Sequence, residues 1–337
     1  MRRFVRSHPV LCYYLLALAI CSAVIVANSI YGVWWQGRTG HRFSFNEVLW
    51  ALLKQFGHGR MYANIISIAW AGTREPVYFG VFLFGGAPTI SAITISAVGW
   101  GRAGLARLVS RLKPWASKEF RRDALIIYAA LAVLFFGVSL AHLAIIWNYK
   151  GPAEALATAR VWGLPPWLLP LPFLIGGFID EGASLEELGW RGFALPVMLE
   201  KIRTPLVAAL LLGVLWWAWH FPREVPDIVA GVVNWSSFIP GQAVFLVLVV
   251  TMNVVMTFLF HRTGSILPTI LVHGWGNFIT KAVGVWDIEH VDDRFWIFLV
   301  AAVLLVAITG PQLGRRGYVA KRQSTGFGPE LPAAAAA

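Results

Sequence analysis

Three short stretches place polar side chains where the surrounding sequence is apolar. They are Glu186-Glu187-Leu188-Gly189-Trp190-Arg191, Trp216-Trp217-Ala218-Trp219-His220 and His273-Gly274-Trp275-Gly276-Asn277. Ionisable groups within membrane segments are costly and usually face an interior cavity or a partner. On a helix, Glu187 and Arg191 are four residues apart and share a face, while Glu186 is turned about 100° away. This predicts Glu187 held by Arg191 and Glu186 directed to a cavity. The plainer alternative is an ordinary salt bridge on an interfacial helix. His220 ends an apolar helix and precedes Phe221-Pro222, where a hydrogen-bonded core histidine is the alternative to a catalyst. His273 and Asn277 project from one helix face. Gly274 and Gly276 leave room beside them for a neighbouring helix or a substrate backbone, and a structural interhelical hydrogen bond is the competing reading.

Together, two carboxylates, two histidines and an amide on three helices of one bundle can meet at an interior point. Such groups can run hydrolysis. Glu and His can share the deprotonation of a water. A second His and an Asn can donate hydrogen bonds to the oxyanion of a tetrahedral intermediate. Burial makes a carboxylate hold its proton more tightly and improves it as a base near neutral pH.

The elements that must position these groups follow from composition. The chain has 337 residues, of which 58% are hydrophobic and 13% charged, against about 25% charged in soluble domains. A spanning helix needs roughly 20 mostly apolar residues, and several runs supply them. The reading is all-α: a polytopic transmembrane bundle with spans at 10–35, 77–100, 124–147, 162–178, 206–221, 242–260, 266–283 and 295–309. Trp34, Trp35, Trp115, Trp147 and Trp162 flank apolar runs, as aromatic residues at membrane interfaces do. Pro88 is expected to kink the second span. Residues 46–56 read as an interfacial helix and 179–203 as a more polar helical stretch. The first apolar run is longer than the roughly 7–15 residues of a signal-peptide core, so a retained first helix is expected.

The net charge of +11 sits in short loops between apolar runs, which points to anionic lipid and topology rather than nucleic acid. The strongest basic loop, 101–122, should face the cytoplasm. Eight spans then put both termini there, and the acidic loop 286–293 outside. The basic residues of 36–76 run against this pattern, in a long loop where the rule is weaker. The expected setting is a bacterial cytoplasmic membrane. The expected organisation is membrane helices over 1–122, a catalytic bundle over 123–312 and a disordered tail over 313–337. Cys12 and Cys21, about 13 Å apart along a helix, cannot bridge.

The three motifs resemble those of the CAAX-protease and bacteriocin-processing family, also called the abortive-infection family. Its pattern is Glu-Glu-x-x-x-Arg, then Phe-x-x-x-His, then His-x-x-x-Asn. Order and spacing match at 186–191, 216–220 and 273–277. The departure is Trp216 in place of Phe; the swap keeps a large aromatic ring, and little consequence is expected. The resemblance implies an intramembrane endopeptidase. Glu186 and His220 would activate water, His273 and Asn277 would form the oxyanion site, Arg191 would orient the glutamate pair, and Glu187 would support it. The implied partner is a membrane-associated protein or peptide. No cofactor is expected. The sequence lacks His-Glu-x-x-His and pairs no histidines four apart on one helix, so a metal-free mechanism is preferred; zinc held by Glu186, His220 and His273 is the alternative.

Two other classes use the same residues. A non-catalytic immunity or peptide-binding membrane protein would keep the polar cavity for binding. A proton-coupled carrier would use buried Glu and His as a relay, although the inverted repeat of many such folds is not seen. Asp180 and Glu181, just before the first motif, are left open. His142 and His261 are read as structural.

Overall fold

The computed structural model describes residues 2–55, 64–153, 170–202, 204–282 and 291–314. Among them there is no strand. The chain runs through α1 (Arg2–Ser7), α2 (Pro9–Thr39), α3 (Phe45–Gln55), α4 (Ile65–Arg74), α5 (Gly80–Ser110), α6 (Arg121–Lys150), α7 (Pro170–Ile179) and α8 (Glu181–Gly189). It continues through α9 (Leu195–Lys201), α10 (Pro205–His220), α11 (Val225–Val229), α12 (Trp235–Thr263), α13 (Leu267–Ala282) and α14 (Val291–Gly314).

Four helical stretches among the described residues are long and apolar enough to cross a membrane: Pro9–Thr39, Pro76–Ser110, Pro205–Val229 and Trp235–Thr263. The expected third, seventh and eighth spans fall on α6, α13 and α14. Part of the fourth, and most of the acidic loop 286–293, lie outside the described residues. Large apolar side chains point away from the bundle: Ile30 and Val33 on α2, Ile93 on α5, Val133 on α6, Val214 on α10 and Ile308 on α14. An exposed apolar surface spread over so many helices suits lipid rather than water.

Lipid is as apolar as Leu, so helices in a bilayer gain little from apolar burial and associate through close packing and polar contacts. The buried face of α5 accordingly carries Gly85, Gly86, Ala87, Ser91, Ala92, Ser96 and Gly99. Against it, Gly189 of α8 lies so close that a Cβ there would stand 2.4 Å from the Pro88 carbonyl carbon. Within α5 the backbone leaves helical angles at Gly101, with φ 63°, rather than at Pro88.

The first long helix is part of the core. Tyr13, Ala17 and Cys21 of α2 are fully buried, and the Tyr13 ring meets Trp190 edge to face at 5.5 Å between centroids. Cys12 and Cys21 are free thiols. The expected interfacial helix is α3, whose buried Leu49 and Leu53 pack with Ile68, Ala71 and Tyr78 in a separate small cluster.

One end of the bundle is tied by polar contacts. Arg262, at the end of α12, pairs with Asp123 of α6 at 3.1 Å and donates to Gln312 of α14. The turn after α12 is pinned by Ile266 N–H to the Arg111 carbonyl and by Ala116 N–H to the Thr263 carbonyl. Arg111 lies just beyond the second candidate span. Its burial, and then the charge of Arg107, lower its guanidinium to about 10, which leaves it charged at neutral pH.

Candidate active site

The site grows from a helix break. Asp180 has extended backbone angles, and its carboxylate caps α8 by accepting the Ala183 N–H at 2.7 Å. A capping carboxylate satisfies an orphan amide and favours the positive helix start. The break lets α8 leave α7 and carry Glu186 and Glu187 into the bundle. The helix then widens into a π turn over Trp190–Ala194, a form often found at functional sites.

Glu187 and Arg191 form the expected pair, with Nη1 donating to Oε1 at 2.7 Å and both side chains fully buried. The same Oε1 accepts a hydrogen bond from His273 Nδ1 at 2.8 Å. An ionised carboxylate only accepts, so Nδ1 carries the proton and Nε2 of His273 points elsewhere. Arg191 also donates through Nη2 to Asn253 of α12, whose own amide donates to the Ala209 carbonyl of α10. The Arg191 guanidinium lies over the Trp216 ring, 4.5 Å from its centroid.

Glu186 is 5% exposed. Its Oε2 accepts from Trp216 Nε1 at 2.8 Å and from Trp190 Nε1 at 3.3 Å. The Trp216-for-Phe departure therefore has a consequence after all, because Phe has no N–H to give. Oε1 of Glu186 and Nδ2 of Asn277 both approach Gly182, where a Cβ would stand 3.3 Å from the first and 3.0 Å from the second.

His220 donates Nδ1–H to the Trp216 carbonyl at 2.8 Å. A carbonyl cannot donate, so the neutral ring keeps its lone pair on Nε2. Asn277 donates from Nδ2 to Asp180 Oδ1 at 2.8 Å.

A cavity of about 50 Å³ is lined by Trp216, His220, Phe245, Met252, His273 and Asn277, with Leu248, Val249 and Gly276 completing the wall. That is room for a few waters. Glu186 was expected to face a cavity and is not on this lining. Its carboxylate is turned to the two indoles, and Trp216 both contacts it and borders the cavity. The sequence leaves open whether Asp180 and Glu181 line this cavity; Asp180 does not, and reaches it only through its bond to Asn277. Glu181, one residue on, has no place on the lining.

Asp180 and Asn253 were not singled out as site residues. Asn253, alone in an apolar run, carries the general signal of a costly intramembrane polar group. Asp180 carries a helix-cap signal. His261 is buried near the tied end of the bundle, and the His142 side chain lies outside the described ones. Among the described residues no three His, Cys, Asp or Glu side chains are grouped as a metal ion requires, so Glu186, His220 and His273 do not make a ready set of ligands.

A carboxylate pair, two imidazoles, a guanidinium and a carboxamide, buried among membrane helices, define an integral membrane protein with an interior polar site. Residues 161–279 match the family described as type II CAAX prenyl endopeptidase Rce1-like. All three motifs fall inside that stretch, which is CAAX-protease-like. The chain is also similar to the protein named CAAX prenyl protease 2 of Methanococcus maripaludis, 26% identical over 125 residues, covering 37% of this chain and 46% of that protein. The chain thus matches about half the length of that curated relative. No solved structure matches the chain.

Proposed function

We propose that the chain is an intramembrane endopeptidase that hydrolyses a peptide bond of a membrane-associated substrate. The observation that carries this reading is the meeting of the three motifs at one interior point, Glu186 bonded to Trp216 and Glu187 to His273, beside a small cavity that the second and third motifs line, with His220 Nε2 left as an acceptor. Glu186, assisted by His220, takes a proton from a water as its oxygen attacks the carbonyl carbon. The oxyanion accepts hydrogen bonds from Asn277 and from His273 Nε2, which can donate only as an imidazolium, with Glu187 as its counter-ion. Collapse breaks the C–N bond, and the proton passes to the departing amine. Arg191 holds Glu187 in place. The mechanism asks for no metal. We place the chain in the membrane with eight spans and both termini cytoplasmic, and we take prenylated C-terminal peptides, suggested by the relative's name, as the first substrates to try.

The test is cleavage of a panel of membrane-anchored peptides, prenylated and not, by purified protein in liposomes. Wild type should cut and Glu186→Ala should not, with no effect of a chelator. An active Glu186→Ala protein, or a wild type that cuts nothing in the panel, overturns the reading. One observation favours a binding protein instead: Glu186 stands off the cavity lining. Under that second reading, a Glu186→Ala variant would retain the cellular function of the wild type.

A further inference from the structure

Trp216 stands where the resembling family has Phe, and at this site the two residues differ in one chemical respect. Indole carries an N–H and Phe does not. The Trp216 N–H meets Glu186 Oε2 at 2.8 Å. The second indole on that oxygen, Trp190, is at 3.3 Å and belongs to the same helical run as Glu186, four residues on. Its contact therefore fixes the carboxylate only relative to its own helix. Trp216 comes from α10, the helix that ends in His220, and links the two halves of the water-activating pair.

The ring is in turn held on several sides. Trp216 is 3% exposed. The Arg191 guanidinium covers its face at 4.5 Å, and the His273 ring meets it edge to face at 4.9 Å between centroids. Its own carbonyl takes the His220 Nδ1–H. One residue thus sets the carboxylate through its side chain and the histidine tautomer through its main chain.

We infer that Trp216 is a positioning residue for Glu186: its indole N–H holds Oε2 and leaves Oε1, on the side of Gly182 and Asn277, as the oxygen that takes the proton. The inference rests on the reading of Glu186 as the base. An N–H bonded to a carboxylate is among the stronger hydrogen bonds. Without it, Oε2 keeps only the longer Trp190 contact within its own helix, and the nearby positive charge of Arg191 can draw the carboxylate out of line with His220.

The experiment compares Trp216→Phe, Trp216→His and Glu186→Ala with wild type, as full-length purified protein on a membrane-anchored peptide that the wild type cuts. Phe installs the residue usual in the family and removes the N–H. His can put the Nε2–H of its five-membered ring near the place of the indole N–H. Trp216→Phe should lower kcat by about tenfold or more and leave KM within about twofold, because the lost contact orients the base rather than binding substrate. Trp216→His should stay within about threefold of wild type in kcat. A wild-type kcat for Trp216→Phe, or Trp216→His as impaired as Trp216→Phe, overturns the inference. Should Trp216→Phe fail to fold, Trp216→His decides alone: kcat within that range supports the inference, and a loss of about tenfold or more overturns it. A silent Trp216→Phe beside a dead Glu186→Ala sinks the inference and leaves the base reading intact, whereas an active Glu186→Ala, or a wild type that cuts nothing, sinks both.

Discussion

At the scale of the residue, the site depends on how three buried charges share partners. Glu187 Oε1 is used twice, by Arg191 and by His273, so removing Arg191 leaves a carboxylate with no access to water and His273 as its remaining partner there. Breaking a buried ion pair from one side costs roughly 3–5 kcal/mol. Arg191→Ala should therefore lower the thermal unfolding midpoint in detergent sharply, and unchanged stability would show that the pair is not load-sharing. Arg191→Lys should fail as well, because a single ammonium cannot span Glu187 and Asn253 as the planar guanidinium does. The Glu187–Arg191 pair was legible in the sequence, since a spacing of four closes within one helix. The bond from Trp216 to Glu186 was not. It joins residues 30 apart and depends on how α10 meets α8, which no local spacing reveals. The same holds for Asn253 and Arg191, 62 apart.

At the scale of the element, glycines decide how near the helices come. Gly274 was expected to admit a neighbour, and it does: a Cβ there would stand 2.5 Å from the Gly177 carbonyl oxygen of α7. Gly189 meets the Pro88 backbone of α5 just as closely. Backbone cannot step aside as a side chain can, so overpacking at either position should cost about 1–3 kcal/mol. Gly189→Ala and Gly274→Ala should both lower the unfolding midpoint. Gly276→Ala should be milder, because its close neighbour is the flexible end of Met252, at 2.8 Å. Equal effects at all three positions would contradict this account. Helix existence was legible from apolar runs and helix type from their length. The break at Asp180 falls where the apolar run gives way to the polar stretch at 179–203, but the departure at Gly101 was not legible, because it depends on one residue's backbone angles at the start of a basic run.

At the scale of the whole molecule, the bundle's polar ties lie where the start of α6, the ends of α12 and α14 and the loop after α5 meet. The topology we propose, with eight spans, would put that end in the cytoplasm, with the loop between α11 and α12 on the far side. Single cysteines test this after Cys12 and Cys21 are replaced. Ser117→Cys and Val232→Cys are both at exposed positions and should label from opposite faces of oriented membrane vesicles. Labelling from one face would contradict the topology. The proposed sidedness rests on charge asymmetry in the sequence, because basic loops and apolar runs are coarse features that survive errors in local detail. The meeting of α8 with α10 and α13, through the Glu186–Trp216 and Glu187–His273 bonds, is a property of the packed bundle. The sequence could point to it only through polar residues out of place in apolar helices.

The measurement that bears most directly on the central claim is cleavage of membrane-anchored peptides in liposomes by wild type and by Glu186→Ala, each with and without a chelator. The account predicts products from wild type alone, at the same rate with chelator present. Products from a folded Glu186→Ala protein would contradict it.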